Sequence, residues 1–60
     1  IQLSYDEQLI YDALDLNEMN IDEIIKKTKM ETKVLLTMLM RMEIKGIIKK
    51  LPGNIYALVR

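Results

Sequence analysis

The chain has 60 residues, contains no cysteine or histidine, and carries nine basic and nine acidic residues for a formal net charge of zero. This length leaves room for one domain, and the composition excludes disulfide bonds and metal sites built from Cys or His. Burial of apolar side chains must therefore supply nearly all of the stability. Catalysis by His or Cys is also excluded, and the single serine, Ser4, is explained by helix capping, so we predict a non-enzymatic domain without a cofactor.

The first residues of the chain and its hydropathy indicate the cellular location of the protein. No apolar run approaches the roughly 18 residues that a membrane-spanning helix needs, and no signal-peptide pattern opens the sequence. A small domain without disulfides is typical of the cytoplasm. Because the first residue is Ile1 and not Met, we expect residues 1–60 to be one domain of a longer cytoplasmic protein.

The charges are distributed very unevenly along the chain. Residues 1–25 contain seven acidic residues and no Lys or Arg, whereas residues 26–60 contain nine basic residues and two acidic ones. The two parts therefore carry formal charges of −7 and +7. Such asymmetry indicates an oriented electrostatic surface. The alternative interpretation is that the two halves attract each other or bind the rest of a larger protein.

Two capping signals predict the first two helices. Ser4 and Glu7 have the spacing of a capping box, and Asn20 and Glu23 repeat it. Apolar residues follow each signal at helical spacing, but the second helix is too short to persist without packing on its neighbours. The predicted helices cover about residues 5–16 and 21–28, with a short extended stub at 19–21.

A third helix is expected at about residues 32–45. Leu35, Leu39 and Met42 share one side of it, and Gly46 would end it. Two helices joined by a short turn, the second longer and basic on its outer face, match a helix-turn-helix.

A β-hairpin is expected after the third helix. Residues 47–51 and 54–60 are β-prone, Pro52-Gly53 between them is a turn signal, and Tyr56 is expected to pack under the hairpin. The predicted fold class is therefore mainly α (α+β): a winged helix-turn-helix, with three helices followed by a C-terminal β-hairpin wing.

Several short motifs occur together in the order and spacing of a known family. They are Ile21-Asp22-Glu23-Ile24, Leu35-Leu36, Leu39, Met42-Glu43-Ile44-Lys45-Gly46-Ile47-Ile48, Leu51-Pro52-Gly53 and Tyr56. Together they resemble the C-terminal winged-helix domain of the DNA-processing protein A (DprA/Smf) family, over about residues 3–59. One departure is Lys29, where many relatives have Gly to turn the chain between helices.

The resemblance implies a role in natural transformation, or competence, and in DNA recombination. Proteins of that family bind incoming single-stranded DNA and help to load the RecA recombinase onto it. Their main DNA-binding and dimerising unit is a larger Rossmann-like domain, and the winged helix is an accessory domain. The resemblance therefore implies an accessory module that supports the parent protein.

The candidate DNA-binding residues lie on the third helix and around it. Lys33, Thr37 and Arg41 share the side opposite the predicted core and would face the DNA. The residues expected to contact phosphates are Lys26, Lys27, Lys29, Lys49 and Lys50. With about five phosphate contacts, log affinity for duplex DNA would fall with log salt at a slope of about −4.5. The sequence leaves open whether single- or double-stranded DNA is preferred.

The same helix also supports a protein-binding interpretation. Val34, Leu36 and Met40 lie beside the basic residues, so its outer face is not cleanly polar. The partner would be RecA or another competence protein reached through the parent protein, the parent's own Rossmann-like domain, or a second copy that forms a homodimer. The acidic side of the first helix is an alternative surface for the same contacts.

Overall fold

Three helices and a small antiparallel sheet make up the fold in the computed structural model, which describes residues 2–60. The elements follow one another as α1 (Tyr5–Leu16), β1 (Met19–Asn20), α2 (Ile21–Thr28), α3 (Thr32–Ile44), β2 (Ile48–Leu51) and β3 (Ile55–Leu58). The sheet has the order β1-β3-β2, with both pairings antiparallel. The predicted fold class is confirmed, and the expected stub before α2 forms β1, the third strand of the sheet.

Both predicted capping boxes are present. The Ser4 hydroxyl accepts from the Glu7 N–H at 3.3 Å, and the Glu7 carboxylate accepts from the Ser4 N–H at 3.0 Å. Asn20 and Glu23 make the same reciprocal pair at 2.8 and 3.0 Å. These side chains satisfy backbone N–H groups that the first helical turn leaves free, so α1 and α2 begin where the sequence predicted.

The core lies between the three helices and one face of the sheet. Leu35, Leu39 and Met42 are buried from α3, as predicted, and Tyr56 is buried on the central strand. These residues join a single apolar cluster with the buried side chains of α1, α2 and β2. The largest fully buried side chains are Ile10, Ile24, Leu35, Leu39, Met42 and Ile48. Burial of one side of α3 fixes which of its residues face outward.

The end of α3 and the turn of the hairpin differ slightly from the prediction. The helix ends at Ile44, one residue early, and Gly46 follows with a φ of +78°. In the hairpin, Asn54 was expected to begin the second strand, but it has a φ of +59° and belongs to the turn together with Pro52 and Gly53. The three-residue turn leaves Leu51 opposite Ile55, so β3 begins one residue later than predicted.

Lys29 takes the left-handed conformation that the missing glycine would have favoured. Its φ is +60°, and its N–H donates to the Ile25 carbonyl at 2.7 Å to close α2. An L-residue in this conformation is strained by about 1–2 kcal/mol relative to glycine. Part of this difference is offset because glycine loses more conformational entropy than lysine when the chain folds. The turn between α2 and α3 therefore forms despite this residue.

We expect Lys29→Gly to raise the free energy of unfolding by up to about 1 kcal/mol, because glycine adopts this φ without strain. Lys29→Ala removes the same charge but keeps the Cβ atom, so it should give no comparable gain. Urea unfolding of the two variants beside the wild type measures the difference. Equal stability of the glycine and alanine variants would contradict an effect of backbone strain.

Glu7 ties α1 to the end of α3. Its carboxylate is buried and accepts from the Lys45 ammonium group at 3.0 Å, in addition to its capping bond with Ser4. The hydrogen bond from the Ser4 backbone, then that from Lys45, lower the pKa of Glu7 from 4.5 to about 2. The ionised form is thus held by groups that the unfolded chain does not bring together.

Because the pKa of Glu7 is lower in the folded state, its carboxylate stabilises the fold fully above pH about 4.5. This stabilisation is lost progressively as the pH falls from there to about 2. We expect Glu7→Gln to reduce stability at pH 7 and to flatten the pH dependence over that interval. Urea unfolding at a series of pH values measures both effects. An unchanged slope in the variant would contradict this role for Glu7.

Candidate nucleic-acid interface

The outward side of α3 carries a row of polar residues that we call the basic ridge: Lys33, Thr37 and Arg41. Spaced four residues apart, they spread over only about 80° of the helix surface at about 100° per residue. All three are exposed, and they lie opposite the buried Leu35. The structure therefore brings together the three residues predicted for the outer face of the second helix of the helix-turn-helix.

Within the basic ridge, the two cations are better placed than Thr37 to reach a ligand. The Thr37 hydroxyl donates to the Lys33 carbonyl at 3.1 Å, so its proton is taken up by its own helix and its oxygen remains an acceptor. The ion pairs among residues 2–60 involve neither Lys33 nor Arg41. Lys33 and Arg41 are therefore the donors of this surface.

The first turn of α3 differs from those of the other two helices. Glu31 at its N-cap makes no side-chain capping bond, and its first turn contains no acidic residue. By contrast, α1 and α2 each have a capping box and two acidic residues in the first turn. The positive end of the α3 dipole therefore adds to the charge of Lys33.

The remaining predicted phosphate contacts fall into two groups. Lys26 and Lys27 lie in the last turn of α2 and Lys29 in the turn that leads to α3, and all three are exposed. These lysines precede the basic ridge in the helix-turn-helix. Their position at the negative end of α2 also stabilises that helix.

The two lysines of the wing point to opposite faces of the sheet. Lys50 lies opposite Tyr56 and Lys49 opposite Ala57, and successive residues of a strand alternate between faces. Lys49 lines a groove with Asp15 and Glu18 near the end of α1, whereas Lys50 is not part of that groove. The pair predicted to act together is therefore divided.

The acidic and basic parts of the chain do contact each other, but through few residues. Lys45 pairs with Glu7, and Arg60 pairs with Asp15, so both ion pairs found among residues 2–60 join the acidic half to the basic half. Neither pair includes a predicted DNA-binding residue. The ion pairs between the two halves therefore do not engage the candidate DNA-binding cations, which stay exposed on the surface.

A second row on α3, which we call the apolar ridge, runs beside the basic ridge: Leu36, Met40 and Ile44. All three are exposed, by 46%, 58% and 79%. Ile44 was missed by the sequence analysis, although its position four residues after Met40 was the available signal. Val34, predicted to belong with Leu36 and Met40, is exposed but lies on the far side of the basic ridge.

Two further findings concern other kinds of site. No helix within residues 2–60 is long and apolar enough to cross a membrane. In the same part of the chain, no three or more acidic side chains are grouped so that they could hold a metal ion.

The helix-turn-helix followed by a hairpin wing defines a winged-helix domain, with α3 in the position of the recognition helix. The family model described as the DprA winged helix domain matches residues 1–54. The chain therefore belongs to the DprA winged helix domain family. No curated protein and no solved structure matches it.

Proposed function

We propose that this domain contacts DNA weakly and electrostatically through α3 and the wing. It would act as a non-catalytic accessory domain of a longer cytoplasmic DprA-like protein. By holding DNA close to the parent protein, it would support binding of single-stranded DNA and loading of RecA during natural transformation and recombination.

The observation that carries this proposal is the exposed basic ridge on the helix that winged-helix domains present to DNA. Lys33 and Arg41 project from the side of α3 opposite the buried Leu35 and Leu39, so their direction is fixed by the core. A recognition helix lies in the major groove with its N-terminal residues close to the base edges. The uncapped first turn of α3 would then leave backbone N–H groups free to donate to the DNA.

The other lysines would supply contacts outside the groove. One group, which precedes α3, would reach the phosphates at one side of this helix: Lys26, Lys27 and Lys29. The two lysines of the wing, Lys49 and Lys50, would reach the phosphates at its other side. Such contacts give affinity without sequence preference. Asn and Gln side chains commonly recognise adenine, and the outer side of α3 has neither. We therefore expect weak binding with little sequence preference.

Titration of the 60-residue chain against labelled DNA at several salt concentrations tests the proposal. With about five phosphate contacts, the slope of log affinity against log salt should be about −4.5 for a duplex and about −3.5 for a single strand. Comparison of the two slopes and affinities gives the preferred form of DNA. No binding to either form at low salt would overturn the proposal.

Lys49 and Lys50 offer a matched pair of charge reversals on adjacent residues. We expect Lys50→Glu to weaken duplex binding about eightfold at about 0.1 M salt, because one phosphate contact is lost. Lys49→Glu should have a smaller effect, since Lys49 lines a groove with Asp15 and Glu18. Fluorescence anisotropy measures both affinities. A larger loss for Lys49→Glu would contradict the assigned faces of the wing.

The apolar ridge favours a second candidate function, that of a protein-interaction module. Exposed Leu36, Met40 and Ile44 side chains suit a protein partner better than a phosphate backbone. The partner would be RecA or another competence protein brought close by the parent protein. Pull-down of purified RecA that is lost in Met40→Glu but kept in Lys33→Glu would favour this candidate over DNA contact.

A further inference from the structure

We propose that two copies of this chain bind each other through unlike surfaces, with the outer side of α1 from one copy lying on the apolar ridge of α3 from the other. This contact would form without DNA. It is an inference about the domain itself and stands apart from the proposed DNA contact.

The outer side of α1 carries its own row of three apolar residues and one acidic residue, which we call the α1 ridge: Tyr5, Leu9, Asp12 and Leu16. These residues fall within about 60° of the helix surface at about 100° per residue. Tyr5 and Leu16 are 78% and 68% exposed, and Leu9 is partly exposed. They lie away from Ile10 and Leu14, the two largest buried apolar residues of the same helix. The α1 ridge therefore has no role in the core of its own copy.

The charges beside the two ridges differ in net sign. The α1 ridge includes Asp12 and its helix has no basic residue. The apolar ridge of α3, by contrast, is bordered by Lys33 and Arg41 on one side and by Glu43 on the other. Two α1 ridges would bring like charges together. A pairing of α1 with the side of the apolar ridge that adjoins Lys33 and Arg41 combines apolar contact with opposite charges, which favours the unlike partner. This charge complementarity identifies the second copy as the occupant.

The apolar ridge of α3 is short enough to lie wholly along the α1 ridge. At about 1.5 Å per residue, the row from Tyr5 to Leu16 is about 17 Å long and that from Leu36 to Ile44 about 12 Å. A contact between two helices of this length buries less than the about 1,200 Å² typical of stable complexes. We therefore expect association that becomes measurable only toward about 1 mM in the free domain.

The inferred contact has a consequence for the rest of α3. Because the apolar ridge adjoins Lys33 and Arg41, a bound α1 would cover them. Self-association and DNA contact would then compete for one side of the same helix.

Sedimentation equilibrium of the chain without DNA, up to about 1 mM, tests the inference. The average mass should rise with concentration, whether the contacts close into a dimer or continue into a chain. Leu16→Lys on α1 and Ile44→Glu on α3 change exposed residues, and each alone should weaken association at least about tenfold. Val59→Lys, a matched change at an exposed apolar residue outside both ridges, should leave association unchanged.

Mixing the two variants gives the decisive result. Leu16→Lys keeps an intact α3 ridge and Ile44→Glu an intact α1 ridge, so the mixture should regain a one-to-one complex that neither forms alone. Circular dichroism checks that both variants are folded. A wild-type chain that stays monomeric would overturn the inference. So would a mixture that does not associate, or a Leu16→Lys variant that associates like the wild type.

Discussion

Charge reversal of the basic ridge should nearly abolish DNA binding by this domain. In Lys33→Glu/Arg41→Glu the two cations that α3 would place in the groove are lost, at a cost of about 1–3 kcal/mol each. The affinity for duplex DNA should therefore fall at least about 30-fold, whereas the salt slope should stay close to about −4.5 because the five lysines assigned to phosphates remain. The new carboxylates add repulsion from phosphate to this loss. Fluorescence anisotropy over a range of salt concentrations measures both quantities.

The matched control is a pair of single variants, Arg41→Glu on the basic ridge and Arg60→Glu outside the proposed interface. Both make the same change in net charge, but Arg60 lines the groove that contains Asp15 and Glu18. The ion pair between Arg60 and Asp15 is exposed and contributes little to stability. If the two variants lose affinity equally, net charge and not the basic ridge determines binding, and the assigned interface is wrong.

The orientation of α3 predicts opposite outcomes for two methionines only two residues apart. Met42 is fully buried, whereas Met40 is 58% exposed on the apolar ridge. We expect Met42→Ala to lower the free energy of unfolding by about 2–5 kcal/mol, because it leaves a cavity in the core. A domain of this size has only about 3–9 kcal/mol in total, so the variant should be marginally stable or unfolded. Met40→Ala should change stability by less than about 0.5 kcal/mol.

Urea unfolding followed by circular dichroism compares the two methionine variants directly. The result matters for function because the same rotation of α3 that buries Met42 points Lys33 and Arg41 outward. Similar losses from both substitutions would mean that α3 is rotated about its axis. The basic ridge and the apolar ridge would then be assigned to the wrong sides of the helix.

Most of the fold could be predicted because its signals are local. A capping box needs two side chains three residues apart, so Ser4 with Glu7 and Asn20 with Glu23 fixed two helix starts. The buried side of α3 follows from helical periodicity in the same way. The ion pair of Glu7 with Lys45 could not be predicted, since it joins residues 38 positions apart whose distance depends on the packing of α1 against α3.

The candidate site was predicted less completely, because surfaces depend on what covers them. The basic ridge followed from spacing along one helix. Alternation along the strand separates Lys49 from Lys50, but the groove that Lys49 shares with Asp15 and Glu18 required the position of the end of α1. The exposure of Ile44 depends on where the chain turns after α3, and the turn at Gly46 leaves this side chain uncovered. Periodicity alone cannot supply either fact.

The most direct test of DNA contact through α3 is a titration of the ¹⁵N-labelled chain with a short duplex, followed by backbone amide chemical shifts at low salt. The proposed interface predicts the largest shift changes at Lys33, Thr37 and Arg41, with smaller ones in the turn around Lys29 and at Lys50. Changes that are absent, or that are confined to the acidic outer side of α1, would contradict DNA contact through this helix.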